Sequence, residues 1–214
     1  MAMRVALCGA GVVGGGVLSI LSKRKELPFQ VTKVLVRNLD KTRGVPLPPG
    51  AKYVTNWREC MEDVDLVVEL IGGTTLAKDI VFTALESGID VVTANKALVA
   101  SEMCGLEKVL DAESAGSLGY EAAVGGGIPV IRGLQTSVAV ADSVSSISGI
   151  LNGTTNYMLT KMANEGSSYD SVLKEAQDAG FAEADPTGLL PLAGLNNACL
   201  RVRFVILFAF AVII

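Results

Sequence analysis

The sequence predicts an α/β fold, a doubly wound parallel sheet over residues 1–130, followed by a smaller α+β domain over residues 131–214. Three observations carry this expectation. Short apolar, β-branched runs alternate with segments of helical spacing up to residue 130, the rhythm of parallel strands joined by crossover helices. The first run, Val5–Cys8, leads straight into Gly9-Ala10-Gly11-Val12-Val13-Gly14. Beyond Gly125–Pro129 the alternation stops, and a longer run of period two precedes two helical segments.

Taken in order, Val5–Cys8 reads as the first strand and Gly14–Lys23 as an apolar helix with a basic end. Val31–Val36 is β-branched and reads as the second strand. A loop with Pro46, Pro48 and Pro49 follows, then Lys52–Val54 as a short strand. Asp65–Leu70 reads as a buried strand turned by Gly72-Gly73. Ala77–Ser87 has helical spacing and stops at Gly88, a residue suited to a left-handed cap. Asp90–Thr93 reads as a strand and Leu106–Ala115 as a helix. In the second domain Val138–Leu151 alternates like a strand of an open-faced sheet, and Tyr157–Glu165 and Tyr169–Ala179 have helical spacing.

The bulk properties narrow the function. The 214 residues carry a net charge of −4, and Lys and Arg form no basic block, which argues against a nucleic-acid partner. There is no histidine, and Cys8, Cys60, Cys104 and Cys199 form no C-x-x-C pair. A zinc site and an imidazole base are therefore unexpected. Scattered thiols predict a reducing, cytoplasmic setting. Strand-like sequence from Arg4 leaves no room for a signal or transit peptide ahead of it, although a plastid address stays open if the N-terminus is incomplete. Phe204–Ile214 is a run of eleven apolar residues. A membrane span needs about 20, so a buried helix or strand is expected there.

The glycine turn predicts a Rossmann-type dinucleotide site. Gly9 permits the sharp turn, Gly11 lets backbone approach a pyrophosphate, and Gly14 lets the helix pack on the strand, with its N-terminus facing the phosphates. A glycine-rich turn in some other doubly wound protein is the alternative. The second strand ends at Val36 and is followed by Arg37 and Asn38, with Lys41 and Arg43 close behind and no carboxylate before Asp40. A cation there suits a 2′-phosphate, so NADP is expected over NAD. If Arg37 is only a solvated charge, NAD remains open.

Four further segments are dense in small and polar residues. Thr93-Ala94-Asn95-Lys96-Ala97-Leu98 lies at the end of a parallel strand, where open α/β sheets place ligands. Lys96 could reach the cofactor or a substrate carboxylate, or be a surface helix-start lysine. Tyr120–Pro129 carries Glu121 and three glycines, and a carboxylate with inward carbonyls suits a hard cation. On pattern alone a domain hinge is the simpler reading. In Leu151–Tyr157, Gly153 and the amides after it suit a small carboxylate, with Thr154 as hydroxyl donor; an ordinary helix cap is the alternative. Gly180–Thr187 places Glu183 and Asp185 in one loop, where Glu183 could grip an ammonium or both acids could simply be solvated.

These segments, in this order, resemble the homoserine dehydrogenase family over residues 4–187, most specifically in Thr93–Leu98, Glu121–Pro129, Gly149–Tyr157 and Ala182–Thr187. The resemblance implies an enzyme that interconverts aspartate β-semialdehyde and homoserine with NAD(P)H, toward threonine, methionine and isoleucine. It implies that Gly9, Gly11, Val12, Val13, Gly14 and Arg37 bind cofactor, with Thr93 beside the nicotinamide end and Gly180 nearby. Lys96 would contact cofactor and substrate and is the catalytic candidate. Thr154, Glu183 and Asp185 would lie by the substrate. Glu121 with the carbonyls of Val124, Gly126 and Ile128 would hold a sodium ion. A homodimer through the second-domain sheet is compatible with the Val138–Leu151 strand.

After Thr187 the sequence departs from the family. There an aspartate, then a Gly-x-Asp-x-x-x-Lys helix, is assigned to proton transfer at the substrate oxygen. Anchored on Gly194-Leu195, the aspartate position falls on Asn196, the lysine position on Leu200 and the intermediate acid on Leu189. Arg201 and Arg203 are close, but a guanidinium does not give up its proton near neutral pH. The second domain is thus expected to be incomplete. General acid–base groups contribute about 10²–10⁴-fold, so strongly reduced turnover is expected even from a folded chain. The runner-up reading is a catalytically impaired, truncated nucleotide-binding isoform of the same family. A different amino-acid or aldehyde dehydrogenase on this scaffold fits the middle segments less well.

Overall fold

The computed structural model describes residues 2–139, 153–179 and 181. Two compact units divide the chain, one built on Met1–Gly133 and one on Leu134–Phe208. The first holds a six-stranded sheet of β1 (Met3–Cys8), β2 (Phe29–Leu35), β3 (Lys52–Val54), β4 (Leu66–Glu69), β5 (Asp90–Thr93) and β6 (Leu118–Gly119). The order is β3-β2-β1-β4-β5-β6 with every pair parallel. Chain order therefore reverses between β1 and β4, which creates the crevice where doubly wound sheets bind ligands.

Helices α1 (Val12–Lys23), α2 (Thr75–Glu86) and α3 (Lys96–Leu110) supply the crossovers. Alternate residues of β1 feed two cores. Ala6 and Cys8 pack with Val67, Ile80, Leu85 and Leu98 on one face, while Val5 and Leu7 pack with Leu18, Val31 and Val34 on the other. Burial on both faces is why Val5–Cys8 is continuously apolar instead of alternating. Lys33 is buried at the foot of the sheet, where its Nζ donates to the carbonyls of Glu59 (2.6 Å) and Glu62. It ties β2 to the end of the 3-10 turn Trp57–Met61, adding a second donor to the Glu59 carbonyl that the Glu62 amide also reaches.

Most expected elements recur with ends moved by one or two residues: α1 starts at Val12, β2 spans Phe29–Leu35, β4 spans Leu66–Glu69, and α2 spans Thr75–Glu86. Gly88 follows α2 with φ of 74°, in the left-handed region. Two expectations are corrected. The helix expected over Leu106–Ala115 begins at Lys96, because the Asn95 side chain accepts from the Leu98 amide at 3.1 Å and caps it there. The strand expected over Val138–Leu151 does not start where expected, since Val138 and Ala139 close a helix, α4 (Val130–Ala139). Residues 140–151 lie outside the described residues. Pro129 immediately precedes α4, a position favourable to helix entry.

The described part of the second unit includes α5 (Gly153–Glu165) and α6 (Tyr169–Asp178). They pack through Met158, Val172 and Ala176. The first of these helices starts at Gly153, ahead of the expected Tyr157. Ser168 caps α6 by accepting from the Ser171 amide at 3.4 Å.

Candidate active site

The glycine turn after β1 is steric in origin. Gly9 has φ of 107°, and a Cβ there would stand 2.8 Å from the Leu70 carbonyl oxygen. A Cβ on Gly14 would stand 2.0 Å from the Gly9 oxygen, so only glycine lets α1 sit this close to the turn. Gly11 faces open space. No side chain caps the start of α1, and Val12 there is 96% exposed. The first amides of the helix are thus left without a side-chain acceptor, as an anion site requires.

Beside this turn lies a cleft of about 480 Å³, lined by Gly11, Val12, Gly15, Gly16 and Ser19 on one wall and Lys41, Thr42, Arg43, Val45 and Tyr53 on the other. Arg37 is exposed just past the end of β2. Arg43 braces the loop, donating to the carbonyls of Lys41 (2.7 Å) and Asn38 (2.6 Å) and lying 4.7 Å over the Tyr53 ring. Of the cations after β2, Lys41 and Arg43 line this cleft, and Arg37 is not among its lining residues.

Across the reversal point, the ends of β4 and β5 are tied together by a buried polar network that the sequence reading did not single out. Glu69, fully buried, accepts from the amides of Ile71 (2.9 Å) and Gly72 (3.2 Å) and from the Thr93 hydroxyl (2.6 Å). Thr93 in turn accepts from the Asn95 amide at 3.0 Å, and the Asn95 side chain donates to the Gly73 carbonyl at 2.6 Å. Gly72 and Gly73 both have positive φ, 72° and 71°. The signal in the sequence was an acid closing an otherwise apolar strand just ahead of two glycines. Lys96, exposed, opens α3 directly after this network.

Glu121 opens the 3-10 turn Glu121–Ala123. Its two carboxylate oxygens accept from the amides of Ile131 (2.9 Å) and Arg132 (2.8 Å), so its charge sits on the start of α4. Gly125 and Gly126 have φ of 72° and 62°, which turns the chain sharply between Val124 and Ile128. The Ile128 carbonyl accepts from the Val130 amide at 2.8 Å. Among the described residues no cluster of three or more His, Cys, Asp or Glu side chains could hold a metal ion.

In the second unit the Thr154 hydroxyl donates to the Phe181 carbonyl at 2.6 Å, and the Tyr157 and Phe181 rings meet edge to face at 5.3 Å. The start of α5 is thereby fixed to the segment that leads toward Glu183. Glu175 accepts from the Tyr157 hydroxyl (2.6 Å) and from Lys161 (2.5 Å), bonds that lower its carboxyl below the ordinary range and raise both partners. Gly180, Glu183, Asp185, Leu189, Asn196, Leu200, Arg201, Arg203 and the run Phe204–Ile214 lie outside the described residues. Among the described residues no helix is long and apolar enough to cross a membrane.

Comparison with known proteins adds the family context. The profile described as the homoserine dehydrogenase NAD-binding domain matches residues 9–119, and that of homoserine dehydrogenase matches residues 129–195. Homoserine dehydrogenase of Bacillus subtilis is 44% identical over 207 residues, covering 92% of this chain and 46% of that protein. The Synechocystis enzyme is 41% identical over 194 residues, covering 87% and 44%. The crystal structure of a homoserine dehydrogenase from Thiobacillus denitrificans superposes with a TM-score of 0.77 at 39% identity, over 87% of this chain and 44% of that one. A hyperthermophilic archaeal homoserine dehydrogenase in complex with NADPH shares the fold, with a TM-score of 0.71 at 23% identity, over 87% of this chain and 64% of that one. The chain spans less than half the length of the curated relatives it matches.

Proposed function

The chain belongs to the homoserine dehydrogenase family, and on that premise we propose that it binds NADP in preference to NAD and serves the reversible reduction of L-aspartate 4-semialdehyde to L-homoserine. The observation that carries the cofactor half is the cradle at the sheet reversal. Gly9 and Gly14 are sterically obligatory there, Gly11 is open, and the uncapped start of α1 faces the same space. Val12 and Val13 complete the first turn of that helix. Arg37 and Lys41 supply charge for a 2′-phosphate, and Arg43 holds the loop that presents Lys41. NAD would leave those cations without a partner.

A bound dinucleotide supplies the hydride chemistry; the chain's own residues bind and orient. Lys96 is placed to meet a carboxylate or phosphate from the start of α3. Thr93, its hydroxyl committed to Glu69, would stand beside the nicotinamide end. Thr154, whose hydroxyl donates to the Phe181 carbonyl, is the proposed substrate-side residue of α5, and Gly180, Glu183 and Asp185 are proposed with it from the family pattern. For sodium, Glu121 and the carbonyls of Val124, Gly126 and Ile128 form an all-oxygen set of the kind a hard cation accepts. Each Glu121 oxygen gives one lone pair to a helix amide and keeps another for an ion. The free thiols Cys8, Cys60 and Cys104 suit a reducing, cytoplasmic setting. The second unit is the proposed catalytic and dimerising part.

Asn196 and Leu200 favour a second reading, a catalytically impaired isoform that keeps the cofactor site. The deciding experiment follows NADPH oxidation by the purified chain on addition of aspartate β-semialdehyde, with NADPH binding read by fluorescence in the same cuvette. Turnover supports the dehydrogenase; saturable binding without turnover selects the impaired isoform; neither would overturn both.

A further inference from the structure

We propose that Glu69 sets the charge beneath the nicotinamide half of the cofactor and favours its oxidised form over its reduced form, an inference that rests on the dinucleotide reading above. Glu69 is the one carboxylate fully buried among the described residues, and no Lys or Arg pairs with it there. Its three neighbours, two backbone amides and the Thr93 hydroxyl, are all placed as donors. A neutral side chain could hold the same loop, and burying an anion without a counter-ion is costly. The charge itself therefore calls for a purpose beyond loop geometry.

Topology supplies one. In a sheet of this order the nucleotide half that follows β1 takes the adenosine end, and the other nucleotide lies over the ends of β4 and β5. Glu69 ends β4 and Thr93 ends β5. An oxidised nicotinamide ring is positively charged and a reduced one is neutral. A fixed negative charge in a water-poor setting discriminates between them and stabilises positive charge as hydride departs toward a carbonyl carbon. Glu69 thus acts as a positioning residue with an electrostatic component.

The test measures dissociation constants of NADPH, by its fluorescence, and of NADP⁺, by displacement, for the full chain and for Glu69→Gln. Glutamine can still accept from the Ile71 and Gly72 amides. The expected result is NADP⁺ binding weakened about fivefold with NADPH changed less than about twofold. Glu69→Asp, which keeps the charge but draws it back, should move the ratio the same way by a smaller factor, and it serves if the glutamine variant does not fold. Equal weakening of both cofactors, or an unmoved ratio, would reduce Glu69 to a loop support and overturn the proposal. An unmodified chain that binds neither dinucleotide would instead bring down the dinucleotide reading, and this one with it.

Discussion

The dinucleotide unit and the α5–α6 pair hold themselves together by different means. In the first, β1 is buried on both faces between two apolar clusters, and the polar network of Glu69, Thr93 and Asn95 is fully internal or nearly so. In the second, three buried residues, Met158, Val172 and Ala176, form the core between α5 and α6. Partly buried Tyr157, Met162, Tyr169 and Leu173 pack around them, and polar ties at exposed sites add to the contact, Glu175 to Tyr157 and Lys161 and Thr154 to Phe181. The sheet unit thus rests on two larger apolar clusters, while the α5–α6 pair combines a small apolar cluster with polar ties that solvent weakens. Substitutions in the two regions should therefore fail in different ways.

The largest effect is expected at Gly14. Gly14→Val would drive a side chain into the Gly9 carbonyl, 2.0 Å from the new Cβ, and NADPH affinity measured by fluorescence should fall at least about 100-fold, with overpacking costing about 3 kcal/mol in a urea melt. Core truncation comes next and contrasts the two units directly. Leu85→Ala should cost about 2–5 kcal/mol of stability, whereas Val172→Ala should cost about 1.6 kcal/mol, the loss of two buried methylene equivalents. Equal costs would break the comparison. A smaller, selective effect is expected for Arg37→Ala. NADPH should bind about tenfold more weakly with NADH unchanged, as the loss of one charge-assisted contact to a 2′-phosphate implies.

The smallest effect is on acid stability. Arg4 beside Asp65 holds that carboxyl down at about 2 from its ordinary 3.8. The folded value is depressed, so the pair contributes fully above pH 3.8 and loses its contribution as pH falls toward about 2. Both groups are largely solvated, so Asp65→Asn should lower the urea midpoint slightly at neutral pH and flatten its decline between those limits. A steeper decline in the variant would reverse the assignment.

The parts of the fold legible in the sequence were those where a residue type has one physical explanation. Val5–Cys8 with Gly9 and Gly14 could be placed because a buried parallel strand is continuously apolar and only glycine fits the turn. Lys52–Val54 and Asp90–Thr93 were also placed to the residue, the latter on the β-branched run Val91-Val92-Thr93. The start of α3 was obscured because Thr93–Lys96 reads equally as a ligand loop, and its cap at Asn95 depends on a loop held from Glu69 and Gly73. The opening of α4 was missed because its stabilising partner, Glu121, sits ten positions before Ile131 in sequence. Glu69 was not singled out within Asp65–Leu70, because its burial is a property of the sheet, not of any local pattern. In the site, the cationic loop after β2 was legible, but the use of Arg43 as its brace was not.

The most direct test of the central claim is a fluorescence titration of the purified full chain with NADPH and with NADH. Saturable binding of both nucleotides or of NADPH alone is expected, with NADPH the tighter by about tenfold, the worth of one charge-assisted phosphate contact. Absence of saturable binding, or equal affinity for the two, would contradict it.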